Sequence, residues 1–307
     1  MKFLKSIQEI SPLYDYFIFD VWGVVHDGSN AYPGAIDAIS YLRKQGKKIC
    51  FLSNAPRRAA KVESVLQKFG VTPDLYDFVL SSGEATFLDL QKNQQNNFQS
   101  FGKNYLYIGP QKDIDLLDGL EYNRVEEASA ADFALTTGFD LENSVLEEKL
   151  PQALDAKKYN LPLICVNPDL IVVKQDGCEM ICAGTLAREY QRLGGQVINY
   201  GKPFAAVYKM VCEIFNNPEN KKIIAVGDGM ETDIKGASDF GIDSLLVTGG
   251  ILANSLGISY EQTADQSKLE TVCNQYQLFP KFVISNLKIW DAIQEKKILL
   301  KSLLPQP

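Results

Sequence analysis

The chain has 307 residues, 46% hydrophobic and 22% charged, enough for one large or two medium globular domains. Its net charge of −7, from 31 basic and 38 acidic residues, argues against a nucleic acid or an anionic membrane as partner, because either would draw on a basic stripe. A local basic patch for a small anion stays open. No apolar run reaches the length of a membrane span, and Met1 to Ser6 lacks the apolar centre of a signal peptide, so a cytoplasmic protein is expected.

Residues 1–15 read as a lead-in helix and loop. The run Tyr16-Phe17-Ile18-Phe19 is short, apolar and aromatic, and it stops at Asp20, with Gly23 three residues on. That is the pattern of a buried parallel strand, and such sheets carry ligands just beyond the carboxyl ends of their strands. His26 to Asn30 is turn chemistry, and Pro33-Gly34 opens a helix through Ile36, Ile39 and Leu42 that ends near Gly46. A second strand, Lys48 to Leu52, ends in Ser53-Asn54. A helix from Pro56 through Val62, Val65, Leu66 and Phe69 stops at Gly70, and Asp77 to Ser81 is a third strand. Strand and helix alternate at the spacing of βαβ units, so a parallel sheet is expected.

A helix over 83–97 turns Gln/Asn-rich and is expected to end as a solvated loop. A second α/β pattern then runs through Tyr105 to Gly109, Phe133 to Gly138 and Leu163 to Asn167. After Gly201 the first pattern resumes, with strands at Lys222 to Val226, Ser244 to Val247 and Phe282 to Ser285, and an amphipathic helical tail from Leu287. The tail's Ile298, Leu299, Leu303 and Leu304 can pack on the core or on a second copy of the chain as a homodimer; packing on the core is preferred. The fold class is therefore α/β. A Rossmann-like parallel-sheet core, residues 1–82 and 200–307, is interrupted by an inserted α/β cap, residues 83–199.

The six cysteines (50, 165, 178, 182, 212 and 273) lack the paired spacing of a zinc site. They suit buried thiols in a reducing compartment. A cysteine nucleophile is disfavoured, because the only histidine, His26, is distant from all of them in sequence.

Four pieces carry chemistry. Asp20 ends a strand as nucleophile and metal ligand, or merely caps a loop. Ser53 with the N–H of Asn54 can hold a phosphate-like oxygen, or Ser53 can cap the next helix. Lys202, between Gly201 and Pro203, can offset the charge of a carboxylate and an anionic substrate, or lie on the surface. Asp228 and Asp233, at a strand end and helix start, offer hard oxygens suited to Mg²⁺, or simply stabilise a helix N-terminus. All four would converge on one sheet edge.

In this order the pieces resemble the haloacid dehalogenase superfamily, and within it the class IIA phosphatases of sugar phosphates, nitrophenyl phosphate and pyridoxal phosphate. Pro33-Gly34-Ala35, Asn167-Pro168-Asp169, Gly184-Thr185-Leu186 and Gly236-Ala237 resemble further signatures of that class. The resemblance covers nearly the whole chain, and the family places its cap where the insertion falls. It implies hydrolysis of a small phosphorylated metabolite through an aspartyl-phosphate on Asp20. The Trp22 backbone carbonyl and Asp228 would join Asp20 around Mg²⁺, with Asp233 supporting the site and Lys202 steadying the nucleophile. Ser53 and Asn54, and in the cap Asn167 and Asp169, would contact substrate; Asn167 to Asp169 can equally be a turn.

One departure matters. Family phosphatases carry an acid/base Asp two residues after the nucleophile, where this chain has Trp22. An indole only donates hydrogen bonds, and losing a general acid typically costs about 10²- to 10⁴-fold. Three accounts stand: slow hydrolysis of a substrate with a good leaving group; His26 as substitute acid/base, suited by its ordinary pKa; or a regulatory protein that binds a phosphorylated ligand with weak or no turnover. A dehalogenase-like hydrolase fits less well, because Lys202 and the metal carboxylates are all present.

Overall fold

The computed structural model describes residues 1–95, 102–140, 143–173 and 179–290. In chain order the strands are β1 (Lys2–Phe3), β2 (Tyr16–Phe19), β3 (Lys48–Ser53), β4 (Phe78–Ser81), β5 (Asn104–Ile108), β6 (Asn123–Val125), β7 (Phe133–Thr136) and β8 (Leu163–Cys165). After them come β9 (Ile171–Val173), β10 (Glu179–Ile181), β11 (Val197–Asn199), β12 (Ile223–Gly227), β13 (Asp243–Val247) and β14 (Phe282–Ile284).

Among the described residues these strands form a seven-stranded sheet ordered β1-β14-β13-β12-β2-β3-β4 and a five-stranded sheet ordered β11-β8-β7-β5-β6. Every pairing in both sheets is parallel, and β9 and β10 form a separate antiparallel ribbon. The chain leaves the larger sheet after β4 and returns to it at β12, so the smaller sheet is built from the inserted segment.

Helices α1 (Ala35–Lys44), α2 (Ala59–Lys68) and α3 (Ser82–Gln95) follow β2, β3 and β4. Alternation along β2 divides its side chains between two cores. Phe17 and Phe19 join Ile39, Leu42, Phe51 and Leu66 on the α1/α2 face. Ile18 joins Cys50, Leu80 and Leu90 on the other, in a core that runs on to Tyr105, Phe133 and Ile164 of the smaller sheet. Burying each such side chain stabilises the fold by about 1.5–3 kcal/mol relative to exposure. This second core therefore holds both sheets together.

Three local expectations are corrected. The first 15 residues do not form a lead-in helix. Lys2 and Leu4 donate to the Lys281 and Val283 carbonyls at 3.0 and 2.8 Å, so the segment extends the sheet edge, and only Ile7–Glu9 makes a 3₁₀ turn. The helix expected at Pro56 starts at Ala59, because Glu84 of α3 accepts the Ala59 N–H at 2.9 Å and pairs with Arg58 at 2.8 Å. Residues 287–290 are not helical. There Trp290 donates its N–H to Gln8 Oε1 at 2.6 Å and Leu287 is buried.

The rest of the tail, with Ile298, Leu299, Leu303 and Leu304, lies outside the described residues, as does any dimer contact it would make. Asn96, Asn97 and Cys178 also lie outside them. The other five cysteines are buried free thiols. No helix among the described residues is long and apolar enough to cross a membrane.

Candidate active site

Parallel pairing brings the acidic strand ends together. Phe19 of β2 is in register with Val226 of β12, and the Asp20 N–H donates to the Val226 carbonyl at 2.8 Å. Asp20 and Asp228 thus leave neighbouring strands at the same edge. Backbone walls the Asp228 carboxylate in. A Cβ on Gly23, whose φ is +80°, would lie 1.9 Å from Asp228 Oδ2, and one on Gly250 would lie 2.1 Å from it. The Ile251 N–H donates to the same oxygen at 2.7 Å. A π-helical turn over Met230–Ile234 then turns Asp233 inward, where Oδ2 accepts the Gly229 N–H at 3.1 Å.

Lys202, only 3% exposed, places Nζ 2.6 Å from Asp20 Oδ1 and 2.8 Å from Asp233 Oδ1. Asp20, Asp228 and Asp233 each offer one carboxylate oxygen within 4.8 Å of the others. Burial raises the Asp20 carboxyl well above the usual carboxylate range; Lys202 opposes the rise, and Asp233 and Asp228 add to it. Burial, with Asp233 beside it, pushes Asp228 up to about 7. For Lys202, burial works against the charge, but Asp20 and Asp233 outweigh it and hold the ammonium above its ordinary value. Three clustered carboxylates thus face one ammonium, which touches two of them. The unbalanced charge, the hard oxygen donors and the glycine-walled cradle fit a divalent cation that prefers oxygen.

The remaining site candidates sort by what they touch. Ser53 Oγ accepts the Ala55 N–H at 3.2 Å and does not cap α2; its own hydroxyl hydrogen is not used in that bond. Asn54 is buried with its amide committed to the protein. Nδ2 donates to Asp169 Oδ1 at 2.7 Å and to the Lys202 carbonyl at 3.0 Å, and Oδ1 accepts the Lys202 N–H at 2.7 Å. Asn167 Oδ1 accepts the Asp169 N–H at 3.1 Å, so Asn167 to Asp169 is an Asx-type turn.

Turn chemistry suggests an exposed His26, but the residue is 3% exposed. Its ring stacks on Phe69 at 4.4 Å and meets Trp22 edge-on at 5.6 Å, and Nδ1 accepts the Gly28 N–H at 3.0 Å. Burial drops its pKa to about 4. Trp22 is 38% exposed, and its ring lies so close over Gly28 that a Cβ there would sit 2.3 Å from it.

Three contributors escaped the sequence analysis. Ile251 and Gly250 enclose Asp228; the Gly249-Gly250 pair just after β13 is the signal that marks this further strand end. Ser82 donates to Asn54 Oδ1 at 3.4 Å, with no sequence mark beyond its place at a strand end.

Residues 17–123 match the family model described as haloacid dehalogenase-like hydrolase, and residues 199–275 match a HAD-hydrolase-like one. The sugar-phosphatase AraL of Bacillus subtilis is 30% identical over 235 residues, 76% of this chain and 82% of that protein. The chain belongs to the haloacid dehalogenase-like hydrolase family.

Other haloacid dehalogenase-like hydrolases share the whole architecture. A haloacid dehalogenase-like family hydrolase from Brucella suis superposes with a TM-score of 0.76 at 30% identity, covering 92% of this chain and 99% of that one. The 4-nitrophenylphosphatase of Thermotoga maritima gives 0.70 at 22% identity, covering 90% and 96%, which speaks to the fold alone. Relatives of this hydrolase are phosphatases by name, a sugar-phosphatase and a 4-nitrophenylphosphatase among them.

Proposed function

We propose that this hydrolase is a Mg²⁺-dependent phosphatase that takes the phosphoryl group of a small phosphorylated metabolite onto Asp20. The observation that carries the reading is the contact of one buried ammonium, Lys202 Nζ, with both Asp20 and Asp233 beside Asp228. Residues 1–82 and 200–307 form the core in this reading, and residues 83–199 the class IIA cap. The relatives' names, a sugar phosphatase and a 4-nitrophenylphosphatase, agree with the substrate class.

An Asp20 carboxylate oxygen attacks phosphorus, the bond to the leaving oxygen breaks, and water then hydrolyses the acyl phosphate to free Asp20 again. Lys202 holds Asp20 oriented and offsets part of its charge as the anionic substrate arrives. The Ser53 hydroxyl donates its free hydrogen to a phosphoryl oxygen. Asp20, Asp228, Asp233 and the Trp22 carbonyl would hold the cation. When bound, the cation supplies the positive charge by which a carboxylate and a phosphate tolerate one another.

Trp22 makes the leaving group the difficult part, since no side chain two residues after Asp20 can protonate it. His26 does not fill the gap in this proposal. Its ring is enclosed by Phe69 and Trp22, with Nδ1 already accepting a backbone N–H, so its role is to seat the indole. Trp22 also favours a second reading, a phospho-ligand binding protein with residual turnover.

The test of the phosphatase reading is phosphate release from a panel of phosphorylated metabolites with Mg²⁺ and after chelation. Release that falls about 10²-fold or more on chelation supports it. No release from any member at any Mg²⁺ concentration would leave the binding reading. The Trp22→Asp protein separates the two readings further. Restoring an acid/base raises turnover of alkyl phosphates by about 10²-fold or more if the wild type is limited by proton transfer. A variant slower than wild type would show that the indole belongs to a working site.

A further inference from the structure

The geometry assigns Asp169 and Asn54 a positioning role: a carboxylate on the inserted segment acts through a core amide to fix the backbone of Lys202. Asn54 has two amide hydrogens and a carbonyl oxygen able to accept two bonds. All four are used within the protein. The hydrogens go to Asp169 Oδ1 (2.7 Å) and the Lys202 carbonyl (3.0 Å), and the oxygen receives the Lys202 N–H (2.7 Å) and the Ser82 hydroxyl (3.4 Å). Neither amide hydrogen is left over for a substrate, while the Ser82 hydroxyl divides its one hydrogen between Asn54 Oδ1 and the Ser53 carbonyl at 3.5 Å. Asn54 instead grips both backbone polar groups of Lys202, whose Nζ reaches Asp20 and Asp233.

The joint is closely built from both sides. A Cβ on Gly201 would lie 2.4 Å from Ser82 Oγ, 2.6 Å from Asn54 Oδ1 and 2.8 Å from Pro168 Cδ. The turn bearing Asp169 is backed by the helix Ala183–Arg192, where a Cβ on Gly184 would lie 2.5 Å from the Asp169 carbonyl. Helix, turn, Asp169, Asn54 and Lys202 form one contact chain from the inserted segment to the nucleophile. Seating of the Asp169 turn on the core therefore helps to fix the backbone from which Lys202 reaches Asp20 and Asp233. The consequence for catalysis rests on the phosphatase reading; the contact chain does not.

The experiment has two arms, each run on the wild type and on Asp169→Ala, Asp169→Asn, Asn54→Ala and Asn54→Asp. In the first arm an amine-reactive ester labels the full-length proteins, and mass spectrometry follows Lys202 against Lys221, whose side chain is 74% exposed. Asp169→Ala and Asn54→Ala are expected to speed Lys202 labelling about 10-fold as the local segment opens more often, with Lys221 unchanged. Asp169→Asn keeps an acceptor for Asn54 and stays within about twofold of wild type. Asn54→Asp keeps the volume but puts a carboxylate against Asp169, so it speeds labelling even where an alanine variant does not fold. Labelling of Lys202 that no variant changes would overturn the proposal.

In the second arm, acetyl phosphate is the substrate. The alanine variants lose kcat about 10-fold while KM stays within about twofold. A raised KM with Lys202 labelling unchanged would make Asn54 a substrate contact and overturn the assignment. If the wild type turns over nothing while the labelling pattern holds, the phosphatase reading falls and the positioning role stands.

Discussion

Asp20→Asn is expected to abolish phosphate release, by about 10³-fold or more, and to leave the cation-free protein at least as stable as the wild type. The two halves come from different physics. An amide oxygen can still accept the Val21 N–H and the Lys202 ammonium that Asp20 Oδ1 meets at 2.7 and 2.6 Å, so the local geometry survives. The amide carries no charge and cannot form the acyl phosphate. Removing one carboxylate also relieves a cluster in which Asp228 and Asp233 both make Asp20 easier to protonate. Phosphate release and urea unfolding, each with chelator present, measure the two effects. Equal release from both proteins would remove Asp20 from the chemistry. A large loss of stability alongside lost activity would make its role structural.

The carboxylate cluster was legible in part because Asp20 and Asp228 each sit just past a recognisable strand. Asp20 follows Tyr16–Phe19 and Asp228 follows Ile223–Gly227, and parallel pairing sends such ends to one edge whatever the loops do. Lys202 was legible from the Gly201 and Pro203 around it. What stayed hidden depends on contacts far apart in sequence. Asn54 meets Asp169 across 115 residues and Lys202 across 148, and no local pattern shows that its amide is already occupied. His26 looked exposed because turn chemistry describes the backbone, whereas Phe69 at the end of α2 covers the ring. The first residues looked helical because a two-residue strand has no periodicity of its own; the edge of β14 supplies the pattern.

Lys202→Met is expected to cost about 3–5 kcal/mol of stability in the absence of divalent cation, because it removes one partner from a buried ionic cluster. Methionine is of similar length and fills the space, so the loss is not one of packing. Asp20 and Asp233 keep their burial and lose the one ammonium that both touch. The carboxylates must then take up protons or tolerate one another, and either outcome raises the free energy of the folded state relative to the unfolded chain. A bound divalent cation opposes this by mass action, contributing about 2.7 kcal/mol when free cation is 100-fold above its dissociation constant. The melting temperature of the variant should therefore rise more steeply with Mg²⁺ than that of the wild type, in which Lys202 already offsets part of the negative charge. Turnover at saturating Mg²⁺ should still fall, by about 10²-fold or more, since the charge that steadies the attacking carboxylate is gone. A variant as stable as wild type in chelator would show that Lys202 is not what balances these carboxylates. One that melts lower but shows no steeper Mg²⁺ dependence would show that ammonium and cation do not act on the same three side chains.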